Sequence, residues 1–586
     1  MIYELLPAEH RRRDAELGHP LRSLLAPVEA EYQRLRDGID ATYANWFVET
    51  CAADVLPLIG ALLGVDDGAG TTRASVADAV RVRRIEGTAA GLARAVRNAT
   101  GWPTRVVESL PLVAMTQHVR RIRPDAVRTP DLRDPARPQD RALRTADVRG
   151  PYLPNHVRVH VYRTEAQPMY GVHPRVAPPG HWARTFDPGG RDRPLYARTD
   201  PPVALDHLTL RRLAREGDLD RVLRIELAGQ AVPADRIRTA NLGIWRQPDA
   251  DVVAVDPVRG RFALGTAFDA SAAIRADLAF GGRGDLGAGP GDRRSLLDAV
   301  GAAPPASANW QFVVTAGHDL AEAVRAWDAR RATAGGGTGV IRIADNAPHR
   351  GSLTLTAAGD ERLIVYAADG ACPYVDGSVT VAGAVVLAGL RVEGAVSTGD
   401  DSALVLTGCT VGGVVSTGPD ALRIHRCVSG PIRSGRAALT VSESVVHGDI
   451  DATGAEVTFD AVTLLGGLNA RTLDAADSIL AGPVTLTGAA PGFLRHCSAP
   501  TAPDGLRREH CSPDGVVPRF ESTDPDHPAF GQLSAAGPAE IARGGQDGEE
   551  MGAYRFLRQP AGLDEVRAQF DRHLRLGLTA DVTLAT

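Results

Sequence analysis

"GAVSTG" at Gly394–Gly399 returns almost unchanged as "GVVSTG" at Gly413–Gly418. Carried onward, the same frame marks Gly394, Gly413, Gly430, Gly448 and Gly467, at spacings of 19, 17, 18 and 19 residues. Alternating apolar pairs precede the later marks: Leu404/Leu406, Leu422/Ile424, Leu439/Val441 and Val457/Phe459. Lone aliphatics follow them, at Val396, Val415, Ile432, Ile450 and Leu468. A period of about 18 residues, with short alternating runs and glycine-centred turns, is the signature of a right-handed parallel β-helix. Each coil would stack its aliphatics on those of the next, about 4.8 Å away. Each buried aliphatic contributes roughly 1.5–3 kcal/mol. Four or five of them per coil only about offset the ~1–2 kcal/mol per residue lost in ordering the backbone. Single coils are therefore unstable and the array forms as a unit. A β-sandwich with similar strands is the competing architecture.

Working outward, the chain reads as a multidomain α+β protein. Residues 1–110 form a helical N-terminal domain: Leu21, Leu24, Leu25, Val28, Tyr32 and Leu35 recur at helical steps. Two further apolar segments follow, "NWFVETCAADVLPLIGALLGV" and "VADAVRVRRIEGTAAGLARAVRNATG", the second stopped by Gly101 and Pro103. Residues 111–155 are dense in Arg, Asp and Pro and suit a linker, or an arm lying on a partner. Residues 156–330 form a β-rich middle domain. Its strands are expected in "NHVRVHVYR", half-buried by its alternation, and in "RVLRIELAG", "DVVAVDPVRGRFAL" and "AAIRADLAF", with one helix at "LDHLTLRRLARE". The β-helix spans 331–490. Residues 491–586 are a small α/loop C-terminal region, where Leu563, Val566, Phe570 and Leu574 share a helix face that stops at Gly577.

Composition excludes several chemistries. Across 586 residues there is no lysine, so all 65 basic residues are arginine. Walker-A phosphate binding, Schiff-base chemistry and a Ser-x-x-Lys dyad are therefore ruled out. A net charge of -6 gives no reason to expect nucleic acid as a partner. No apolar run approaches the roughly 20 residues of a membrane span, and the start lacks the apolar core of a signal peptide. The six cysteines are scattered with no C-x-x-C, as buried thiols would be. A soluble, cytoplasmic product without membrane insertion is expected.

Four constellations could carry chemistry. "GGRGDLGAGPGDR" at Gly281–Arg293 contains G-x-G-x-x-G at Gly282, Gly284 and Gly287, and an Arg283-Gly284-Asp285 tripeptide. Ala288-Gly289-Pro290-Gly291 then blocks the helix that a pyrophosphate would need. The stretch reads instead as a glycine-rich connection, leaving Asp292 and Arg293 as a structural ion pair or interface contact. On the β-helix, Asp401, Asp420 and Glu456 stand two residues after turn glycines, and Ala437 takes that place in the remaining coil. Asp401 and Asp420 on neighbouring coils would lie about 5 Å apart, the spacing of a retaining glycosidase pair, although turn chemistry also explains them. His496-Cys497 and His510-Cys511 offer zinc-ligand types at no known finger spacing. Asp547, Glu549 and Glu550 form an acidic knot best read as a solvated turn or a subunit contact. No catalytic, cofactor or metal site is assigned.

The N-terminal segments carry a resemblance. "WFVETCAADVLPLIGALLGV" followed by "VADAVRVRRIEGTAAGLARAVRNATGW", with Arg84, Gly87 and Thr88 at a helix start, resembles tail protein I of contractile-tailed phages. "TFDPGGRDRPLY", "VAVDPVRGRFAL", "GDLGAGPGDR", the β-helix and "EIARGGQDGEEMGAYRFLRQP" are similar to a larger relative found in phage-tail-like contractile injection systems. The resemblance implies a structural baseplate wedge component in a six-fold assembly around the central spike. It would pair with a partner related to tail protein J and link the spike hub to sheath-proximal proteins. The face holding Trp46 and Leu56, the segment Arg84–Thr88, and Asp292 with Arg293 are the expected partner contacts. The resemblance implies no catalytic residue. A carbohydrate-active or receptor-binding, tailspike-like β-helix is the alternative.

Overall fold

The computed structural model describes residues 2–65, 72–109, 120, 155–199, 201–282, 285–305, 308–315, 318–334, 337–489, 491–501, 503 and 505–585. The expected arm at 111–155 thus lies outside the described residues, apart from Arg120 and Asn155. The chain divides into two compact units: residues 1–102 with 565–580, and residues 103–564 with 581–586.

The first unit is helical. Pro20–Ala41 forms one long helix, and Leu56–Leu62, Arg73–Arg84 and Ala89–Thr100 follow. Thr72 opens the third of these helices with a capping box, its hydroxyl accepting from the Ser75 amide at 3.0 Å. Thr88 opens the fourth by accepting from the Gly91 amide at 3.0 Å. Asp78 joins the two by accepting from Arg94 Nη2 and Asn98 Nδ2, each at 2.9 Å. The Arg94 hydrogen bond holds the Asp78 carboxyl below its usual range.

In the second unit, Thr104–Glu108 pairs antiparallel with His156–Tyr162. The first is a strand within a stretch expected to be helical. The second is buried along nearly its whole length, not alternately as its sequence suggested, because both of its faces are covered. Two sheets follow. One has five strands in the order Ile237–Thr239, Val253–Asp256, Arg261–Leu264, Ala183–Thr185, Arg175–Val176. The other has four in the order Glu165–Val172, Ile274–Gly282, Arg224–Leu227, Gln230–Ala231. Phe186, Phe262, Val255, Leu223, Ile225 and Leu210 lie in their common core. The helix His207–Glu216 stands where the sequence placed it.

The repeat is a parallel β-helix. Its ladder begins at Trp310–Val314 and ends at Arg507–Glu509, past both limits read from the glycine marks. Two inward columns confirm the expected stacking. Leu404, Leu422, Leu439, Val457 and Leu473 lie in register, as do Leu406, Ile424, Val441, Phe459 and Ala475. A third runs Val379, Val396, Val414, Ile432, Ile450, Leu468, Val484. This corrects one position: Val414, not Val415, faces the core, because the coil at Thr410–Ser416 is one residue shorter than its predecessor between paired positions. The glycine column shifts with it, to Gly394, Gly412, Gly430, Gly448 and Gly466. At this corner the coils approach so closely that a Cβ on Gly430 would lie 2.0 Å from the Gly412 carbonyl oxygen.

A second corner has no sequence signature. Gly389, Gly408, Arg426, Glu443, Ala461, Asp477, His496 and His510 all adopt positive φ, one per coil. The next residue in each coil turns inward. Cys409, Cys427, Ser444, Ser478 and Cys497 are fully buried there. The Cys427 amide donates to Ser444 Oγ at 3.0 Å, and the Ser478 amide to Cys497 Sγ at 3.4 Å. The helix Leu320–Ala334 closes the first end of the coil stack. Leu320, Val324 and Trp327 join the solenoid core, and Trp327 Nε1 donates to the Thr356 carbonyl at 2.8 Å.

Candidate functional site

The helix Pro20–Ala41 buries none of its residues within the chain. Leu24, Val28, Tyr32, Leu35 and Ile39 are between 44% and 73% exposed. Leu21, Leu25, Val28, Tyr32, Leu35 and Ile39 fall at alternating steps of four and three, the spacing by which one helix seats against another. The exposed face continues into Tyr43, Trp46 and Phe47. The Tyr43 ring lies 6.3 Å from Trp46 and 5.3 Å from Phe47. Of the expected contact residues, Trp46 is 72% exposed while Leu56 is packed beside Cys51 and Val76. Arg84 is exposed. Gly87 and Thr88 serve the local turn: Gly87 has positive φ with the Arg575 side chain packed against it, and Thr88 is the helix cap.

Asp292 and Arg293 play separate parts inside the chain. Asp292 caps the short helix Arg293–Ala299, accepting from the Arg294 amide at 2.9 Å. Arg293 is 1% exposed. Its Nη2 donates to the Gly289 carbonyl and, at 3.1 Å, to the Ala371 carbonyl. Burial pushes its guanidinium down from the usual range. The helix lies on the outer wall of the solenoid, with Leu297 against Ile364 and Val386. Gly282 and Gly287 of the glycine-rich stretch are described; Arg283 and Gly284 lie outside the described residues. Gly287 donates its amide to the Arg426 carbonyl at 2.8 Å, so this segment runs along the positive-φ corner.

The remaining candidates are dispersed. Counting back from the Leu404–Leu422 pair, Asp401 stands three residues ahead and Asp420 two, so they are out of register by one. Asp401 occupies a left-handed turn position. Glu456 is exposed and paired with Arg471 at 2.6 Å, and Ala437 is buried. His496 and His510 stack at 5.1 Å on consecutive coils, while Cys497 turns into the core. The corner geometry thus points neighbouring His and Cys apart. Among the described residues no group of three or more His, Cys, Asp or Glu could hold a metal ion. Glu549 and Glu550 are buried at 5% and 3% exposure, which corrects the expectation of a solvated turn.

One cluster escaped the sequence reading, although "TFDPGGRDRPLY" contains half of it. Asp187, fully buried, accepts from Arg391 of the solenoid at 2.5 and 3.3 Å and faces Arg193 at 3.5 Å. Burial alone would raise the Asp187 carboxyl, yet Arg391 and Arg193 outweigh it and hold it below its ordinary value. Arg191 extends the cluster, meeting Glu393 at 2.8 Å and Asp526 at 3.2 Å. Three parts of the chain are stapled here: the middle sheets, the solenoid and the C-terminal loops. Between the middle sheets and the solenoid, a cleft of about 560 Å³ is lined by Tyr170, His173, Arg275, Asp345 and Asp369 among others.

Fold and surfaces together define a β-helix protein that carries a helical unit with an uncovered apolar face. Residues 19–160 match the family model described as Phage tail protein (Tail_P2_I). The match covers the exposed helix and supports the tail protein I resemblance, leaving the solenoid outside it. No curated protein and no solved structure matches the chain. Among the described residues, no helix is long and apolar enough to cross a membrane.

Proposed function

We propose that this protein is a structural, non-enzymatic baseplate wedge component of a contractile phage-tail-like injection system. It assembles in the cytoplasm, links the spike hub to sheath-proximal proteins and helps couple baseplate rearrangement to contraction. The observation that carries this reading is the coincidence of the tail-protein match with the naked apolar face of Pro20–Ala41 and Trp46. A face of this kind in a soluble chain marks a protein contact. Its partner is proposed to be a protein related to tail protein J, and the stiff solenoid serves as a spacer or docking platform. The reading fails if tagged protein, isolated natively from the producing cells, brings down neither sheath, tube nor spike. It is also sunk if the protein cleaves polysaccharide and Asp401→Asn with Asp420→Asn abolishes that cleavage.

A further inference from the structure

The acidic knot is built into a buried polar chain that joins four separate stretches of the second unit. Arg163, just past the strand His156–Tyr162, is 2% exposed. It donates at 2.9 Å to the Leu533 carbonyl and at 2.9 Å to Gln559 Oε1, and reaches Glu521 at 3.4 Å. Gln559 turns its amide the other way and donates to Glu550 Oε1 at 3.2 Å. Next in sequence, Glu549 meets Arg558 at 3.1 Å through one oxygen, while its second oxygen is buried with no hydrogen-bond partner among the described residues. Tyr554, donating its hydroxyl to the Phe530 carbonyl at 2.6 Å, completes the surroundings of Arg163.

The charges in this cluster do not balance. Around Glu550 one buried cation, Arg163, faces two buried carboxyls, Glu549 and Glu550, while Arg558, Arg543 and Glu521 stand on the more exposed rim. Glu550 and Glu549 are both buried, and Gln559, a neutral group, stands between Glu550 and Arg163. A single proton removes the excess negative charge. Glu550 is where it belongs, because its hydrogen-bond partner is the neutral Gln559, whereas Glu549 and Glu521 each meet an arginine directly.

We propose that Glu550 is the proton-sensitive element of a clasp that fastens residues 543–562 to the middle sheets and solenoid, closed when Glu550 is protonated and loosened when it is ionised. The clasp sits at the start of the helix Gln559–His573, within which the chain makes one of its three crossings between the two units. Burial, with a smaller contribution from Glu549 and against the pull of Arg163, raises the carboxyl to about 7 from its ordinary 4.5. The closed state therefore binds more protons than an opened one between those values, so the contribution of Glu550 is fully present below about 4.5 and is lost as pH rises through about 7.

Hydrogen exchange of the full chain, corrected for intrinsic rates, tests this at pH 6 and pH 8. Opening of 543–562 should become about tenfold easier at the higher pH. Glu550→Gln should abolish that difference and hold the segment closed at both values. Equal protection of the wild-type segment at the two pH values overturns the proposal, as does a difference that persists in Glu550→Gln. Glu549→Gln provides a second reading should the first variant fold poorly. Removing the like charge favours ionisation of Glu550, so the midpoint of loosening should move to lower pH, and an unmoved or raised midpoint is equally fatal.

Discussion

Gly430 and Gly435 lie on the same coil, yet their surroundings assign them different costs of substitution. A Cβ on Gly430 would sit 2.0 Å from a backbone oxygen that the ladder holds in place, whereas on Gly435 it would meet nothing nearer than 3.5 Å. Gly430→Ala should therefore destabilise the solenoid by about 1–3 kcal/mol through overpacking, and Gly435→Ala should stay within about 0.5 kcal/mol of wild type. Denaturant unfolding followed by circular dichroism separates the two. The glycine period was legible in sequence because close coil approach tolerates no side chain. Its register was not: "GAVSTG" and "GVVSTG" align as text one residue away from how their backbones pair. The positive-φ corner was illegible for a different reason. Arg426, Glu443, Ala461, Asp477, His496 and His510 share a backbone angle and no side-chain chemistry. Glycine appears in that column at Gly389 and Gly408, where Arg293 and Leu296 press against the chain.

At the scale of elements, two helices show what periodicity can and cannot reveal. The apolar steps of Pro20–Ala41 predicted a helix face, but the same steps describe a face buried in its own core and one left for a partner. Only the exposures distinguish them. Leu35→Asp should accordingly leave the stability of the isolated protein within about 0.5 kcal/mol; a large loss on thermal unfolding would mean the face is covered within the chain after all. The capping helix Leu320–Ala334 behaves oppositely. Trp327 is 2% exposed and fills the space above Gly339, where even a Cβ would lie 2.4 Å from its ring. Trp327→Ala should cost about 3–5 kcal/mol and loosen the first coils before the later ones. Exchange protection falling at Thr338–Ile343 while holding at Ile450–Asp460 would show that order.

Across the second unit, stacked coils account for the solenoid alone, and the Asp187 staple is the buried charged part of its attachment to the middle sheets, alongside contacts such as Asn346 to the Tyr170 carbonyl and Arg175 to Asp376. Removing one partner of a buried charge pair leaves the other desolvated and uncompensated, a cost of about 3–5 kcal/mol. Asp187→Ala strands both Arg391 and Arg193, so the loss should fall on the junction and leave the solenoid core intact. The expected outcome is a middle module that unfolds at lower denaturant, ahead of the β-helix signal. A wild-type-like transition would mean the staple contributes nothing net. Acid titration gives an independent check. The carboxyl of Asp187 is held below its ordinary 3.8 in the folded state, so its contribution is present above that value and lost as pH falls through the depressed one. The junction should then respond to strong acid while the Glu550 cluster responds near neutrality. In Asp187→Ala the acid-dependent part of the junction's stability should disappear, and the response near pH 7 should remain.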